Sequence, residues 1–124
     1  MNQREYRVSA YGIEFVPYTT EYEAPAEDEV DLCRWFISEL GAPKLKRIRR
    51  GNSSYGWKHA VERWLRATKS RAAYVSNGAF IQAALDLGFE ISVSDQSPNA
   101  WFNFNVTRKA RETLRELDQR RAQI

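Results

Sequence analysis

Thiols, imidazoles and long apolar runs are all scarce in this chain. Among 124 residues there is one cysteine, Cys33, and one histidine, His59. A lone cysteine excludes an internal disulfide framework and any multi-cysteine metal site. It suits a reducing compartment, so a cytoplasmic location is expected. A lone histidine removes every His-rich zinc or iron arrangement, and neither metal nor cofactor is expected. No apolar run approaches the ~18–20 residues of a membrane span. The opening MNQREYRVSA has no apolar stretch of a secretory leader, and no membrane partner is expected.

What the chain does contain is the material of one folded domain. It is 43% hydrophobic and 28% charged, with sixteen aromatic residues, too many for a disordered polymer. One core can form over 1–124, read as a single domain. The net charge of +3 conceals a sharp step along the sequence. Residues 1–43 carry nine acids against three bases (Arg4, Arg7, Arg34), a net of −6. Residues 44–71 carry ten bases against one acid, Glu62, a net of +9, and residues 72–124 balance. Such a dipolar chain attracts a polyanion to its basic part, unless the two blocks pair within the fold.

Periodicity sketches the elements. Positions 6–16 (YRVSAYGIEFV) alternate loosely and predict one strand ended by Pro17. From Glu27 to Leu40, Val30, Cys33, Ile37 and Leu40 share a helical face. Three acids open that helix, and Gly41 with Pro43 stops it. Residues 44–50 (KLKRIRR) predict a short strand or an extended basic loop. A helix capped by Ser53 or Ser54 then runs to about Thr68, with Trp57, Val61, Trp64 and Leu65 inward. Ser76 caps a helix over 77–87. Phe89, Ile91 and Val93, then Phe102, Phe104 and Val106, alternate around a turn at 95–100 and predict a hairpin. Ala110, Leu114 and Leu117 stripe a charged helix over 107–120, which can pack on its own domain or pair with a second copy in a homodimer. The expected class is α+β with a winged-helix-like centre (helix, basic segment, two helices, β-hairpin), an N-terminal strand and a C-terminal helix.

That order invites a groove-reading role for 77–87, but this segment and the turn after it lack Arg and Lys. Without phosphate-neutralising groups such a role is unfavourable. The better candidate is the basic segment and the helix start beside it: Lys44, Lys46, Arg47, Arg49, Arg50, Ser53, Ser54, Tyr55, Trp57, Lys58, Arg63 and Arg66. The cations neutralise phosphates, the Gly/Ser-rich turn lets an anion approach free N–H groups, and Tyr55 or Trp57 offers a stacking face. The same pattern also fits a solvated basic loop before a capped helix. The turn lacks the Gly-Lys-Ser/Thr end of a P-loop, so nucleotide hydrolysis is not implied. His59 and Glu62, three apart, share a helical face and can form an acid/base pair. With no nucleophile evident, a local hydrogen bond explains them better, and no catalytic residue is assigned. Asn99, Asn103 and Asn105 around the hairpin can bind a polar ligand, and are as well explained as turn-formers and the solvent face of a strand.

Ser54-Tyr55-Gly56-x-Lys58-His59-x-x-Glu62, Tyr74-Val75-Ser76-Asn77-Gly78-Ala79-Phe80-Ile81-x-Ala83-Ala84, Gly88-Phe89 and Pro98-Asn99-Ala100-x-Phe102-Asn103 resemble small accessory proteins encoded by phages, plasmids and other mobile elements. The resemblance spans about 50 residues and brings no catalytic residues. It implies binding to host nucleic-acid machinery or defence systems, as some inhibitors of CRISPR effectors do. The expectation is a non-enzymatic binding protein that engages nucleic acid or a nucleoprotein complex through residues 44–71. The alternative is a protein–protein inhibitor or adaptor of the anti-CRISPR kind, using the acidic segment 21–31 (Glu21, Glu23, Glu27, Asp28, Glu29, Asp31) against a basic groove.

Overall fold

The computed structural model describes residues 4–69, 73–105 and 108–122; the side chains at 69, 108, 109, 117, 118 and 120–122 are outside that description. Its elements run β1 (Tyr6–Ser9), β2 (Gly12–Phe15), α1 (Glu27–Leu40), α2 (Ser54–Lys69), α3 (Asn77–Asp86), β3 (Ile91–Val93), β4 (Ala100–Phe102) and α4 (Arg108–Ala122). The class is α+β, with two small antiparallel hairpins and no barrel among the described residues.

The strand expected over 6–16 is two strands. β1 and β2 pair from Tyr6↔Phe15 to Ser9↔Gly12, turning at Ala10-Tyr11. Neither turn residue is a strong turn-former, so the alternation reads through the corner. Gly12 alone marks it, at φ 122°, where an L side chain is strained. The hairpin expected over 89–106 has a shorter ladder, Ile91↔Phe102 to Val93↔Ala100. Phe89 and Phe104 are buried beside it, and Val106 lies outside the described residues. Residues 44–50 are a basic loop, bent at Lys46-Arg47, rather than a strand of their own, making one antiparallel bridge, Arg49↔Phe102.

The helices follow their sequence signals. The α1 cap at Gly41 is left-handed, and its N–H donates to the Ser38 carbonyl. Ser76 Oγ accepts from Ala79 N–H at the start of α3. α3 is the central element, packed on α1 and α2 and on the N-terminal hairpin. Asn77 through Ile81, with Ala83 and Ala84, are all buried, the small side chains admitting close neighbours. Around Phe80 lies an aromatic core. Trp57 is nearly parallel to it at 6.2 Å, Phe102 stands edge-on at 5.4 Å, and Phe104 sits 6.3 Å away. Each such ring buried contributes about 1.5–3 kcal/mol. On α4, buried Ala110 and half-buried Leu114 line a cavity of about 250 Å³ with Phe36, Leu40 and Trp64. The first half of the α4 stripe thus packs within its own chain, and Leu117 lies outside the described residues.

Candidate anion-binding face

The basic segment owes its course to the strand beside it. Leu45 N–H donates to the Asn103 carbonyl at 2.7 Å, and Arg49 N–H to the Phe102 carbonyl at 2.8 Å. The Asn103 side chain, 4% exposed, joins three strands of chain. Its Oδ1 accepts from Glu90 N–H at 2.7 Å, and its Nδ2 donates to the Leu45 carbonyl at 3.1 Å. The expectation of a solvent-facing Asn103 is corrected: it is a buried clasp, its amide matching one donor and one acceptor that the irregular chain leaves over.

Held this way, Lys46, Arg47, Arg49 and Arg50 stand exposed. Arg50 lies across the second hairpin, its guanidinium 5.3 Å from the Trp101 ring centroid and donating to Ser92 Oγ at 2.9 Å. Arg49 and Arg50 line a cavity of about 490 Å³ with Asn52, Asn105 and Arg111, and none of the described residues lining it is acidic. Buried Trp57 and Phe104 contribute its apolar wall. Arg111 comes from α4, some sixty residues away, and no sequence pattern connects it to Arg49. Trp101 was legible only as an outward position of β4.

Of the other expected site residues, Trp57 lines this cavity as part of its apolar wall, and the rest lie elsewhere. Lys44 Nζ lies against Gly88, where the C-terminal end of α3 favours a cation. Ser53 accepts the Trp57 N–H through its carbonyl. Ser54 is buried, its Oγ accepting from Ala100 N–H at 3.0 Å, so it ties α2 to β4 and is not offered to a ligand. Trp57, 6% exposed within the aromatic core, has no open face for stacking. Lys58 is buried too, its ammonium 3.1 Å from Glu62 Oε2 and 4.3 Å from the Tyr74 ring centroid. It neutralises a carboxylate inside the protein, and its expected phosphate contact is corrected accordingly. On α2, Arg66 is exposed and Arg63 half-buried.

Glu62 is the hub of the cluster that includes His59. Its Oε1 is 3.1 Å from His59 Nδ1, and its Oε2 takes both Lys58 and the Val75 N–H. The His59 ring meets exposed Tyr55 edge-on at 4.6 Å. The pair therefore shares a face as its spacing required, and the carboxylate holds residues 74–76 onto α2. Cys33 is buried nearby, and loss of solvation, with the charges of Glu29 and Glu62 added, drives its thiol far above the ordinary range. The described residues contain no group of His, Cys, Asp and Glu able to hold a metal ion, and none of their helices is long and apolar enough to cross a membrane.

The acidic segment is divided in the same manner. Glu29 Oε1 accepts from Ser76 N–H at 2.8 Å, and Asp31 pairs with Arg34, which also reaches Asp86 on α3. Glu21, Glu23, Glu27 and Asp28 are exposed. The chain matches no protein-family model, no curated protein and no solved structure.

Proposed function

We propose that this is a non-enzymatic binding protein that grips nucleic acid, alone or within a nucleoprotein complex, through the basic face built on residues 44–50 and α4. The observation that carries this reading is the cavity lined by Arg49, Arg50 and Arg111 with no acid among its described lining residues. Three arginines lining one cavity give it a positive potential, which an anion complements. Exposed Lys46 and Arg47 extend the positive surface along the same segment.

The centre is read here as winged-helix-like. Helix, basic segment, two helices and hairpin follow in that order, and the Arg49↔Phe102 bridge sets the basic segment beside β4. Within that reading α3 does not enter a groove. Its first turn is buried under the N-terminal hairpin, and it carries no Arg or Lys. The binding surface is instead the edge of the second hairpin. The role is that of an accessory protein of a mobile element, working in the cytoplasm. A homodimer through 107–120 would use the side of α4 turned away from Ala110 and Leu114.

A second reading, a protein–protein inhibitor of the anti-CRISPR kind, is favoured by one observation. Glu21, Glu23, Glu27 and Asp28 are exposed, four acids within eight residues, a surface suited to a basic partner.

Binding of labelled single- and double-stranded DNA and RNA across a salt series tests the first reading. Micromolar or tighter affinity is expected, with a log–log salt slope of roughly −0.7 to −0.9 per phosphate contacted, and Arg49→Glu/Arg50→Glu should abolish it. Affinity that does not respond to salt, or that survives the double reversal, overturns it.

A further inference from the structure

Resting on that reading, we propose that the Arg49–Arg50–Arg111 cavity takes the terminal phosphate monoester of a nucleic-acid strand. Three properties of the site argue for a chain end over an internal linkage. The first is charge: an internal phosphodiester brings one negative charge, whereas a phosphate monoester brings about −1.5 to −2 near neutral pH. Three arginines lining one cavity match the dianion better. The second is shape. Trp57 and Phe104 back a concavity of about 490 Å³, which admits a group that ends there. A continuous backbone needs an exit on each side.

The third is preorganisation. The Arg50 side chain is already ordered on the second hairpin by Trp101 and Ser92, which stand outside the cavity lining. Asn52 stands at the turn that opens α2, two residues before a sixteen-residue helix whose free N–H groups lend further positive potential. Arginine presents planar, paired donors to phosphate oxygens, so each guanidinium can make two parallel bonds to the terminal group.

The test uses oligonucleotides of one single-stranded DNA sequence, bearing a 5′-phosphate, a 3′-phosphate, or hydroxyls at both ends. Binding to the whole protein is followed by fluorescence anisotropy. One phosphorylated form should bind roughly tenfold or more tighter than the hydroxyl form, and which one does identifies the end that is read. Arg111→Gln should erase that preference. Arg115→Gln, the same charge change one helical turn along and outside the cavity, should keep it. Equal binding of phosphorylated and hydroxyl forms overturns the terminal-phosphate assignment while leaving nucleic-acid binding in place. A preference that survives Arg111→Gln also overturns it. Absence of binding by every form, at low salt, overturns both proposals.

Discussion

Asn103 decides where a whole charged segment lies. Truncating it to alanine leaves the Glu90 N–H and the Leu45 carbonyl without their side-chain partner in a buried place. Asn103→Ala should cost about 2–4 kcal/mol in urea denaturation. It should also weaken any ligand that needs Lys46 to Arg50 held along β4. Glu14 offers a test at the same scale that runs through pH. Its carboxylate accepts from Ser9 Oγ at 2.6 Å and pairs with Arg7, and these bonds hold its pKa below the ordinary 4.5. A group depressed on folding stabilises the native state above its unfolded pKa. That contribution fades as pH falls below about 4.5 through the lower folded value. Glu14→Gln should therefore be less stable than the parent at pH 7, with the gap closing in acid. A gap of constant size between pH 7 and pH 3 would contradict the assignment.

At the scale of elements, the N-terminal hairpin and the start of α3 depend on missing side chains. A β-carbon on Gly78 would overlap the Ser9 carbonyl oxygen, and the Gly78 N–H donates to the Ala10 carbonyl at 3.1 Å. The obstacle is backbone and cannot swing aside. Gly78→Ala should cost about 2–4 kcal/mol, against a near-neutral Gly51→Ala, where nothing lies within 4 Å of the new carbon. Thermal melts of the two variants side by side check this. Equal melting temperatures would mean that the hairpin is not seated on α3. The same contact occupies the N-terminal turn of α3, which is spent on β1 and the turn after it.

At the scale of the molecule, charge and cooperativity are the testable properties. The acidic and basic blocks each contain structural members, Glu29 on Ser76 and Lys58 on Glu62, and exposed ones that remain for partners. Reversing Glu21, Glu27 and Asp28 should leave nucleic-acid affinity intact or raise it; a loss matching that of Arg49→Glu/Arg50→Glu would shift the function to the acidic face. Cys33 reports on the whole fold, because it is fully buried in the core that α1 shares with α2 and α3, and its thiol holds its proton. Its alkylation should be slow in native protein at pH 8 and should speed up only across the global unfolding transition. Rapid native labelling would mean that α1 opens locally.

Local chemistry alone determined much of this molecule. The first turn of α1 and its Gly41 stop, the Ser76 cap, the inward Trp57–Val61–Trp64–Leu65 face and the concentration of charge in 44–71 each depend on neighbours within about a helical turn or a strand. Those signals are written in the spacing of residues. The corner at Ala10-Tyr11 was hidden because its residues keep the strand alternation, and the turn is stabilised by seating on α3. Only tertiary structure decided which polar groups go inside. Lys58, Ser54 and Asn103 look like surface residues in the sequence, and each is buried by a partner 4 to 58 positions away. It also decided that Arg111 joins Arg49 and Arg50. Convergence across about sixty residues is a product of packing α4 on α2, and no local preference encodes that distance.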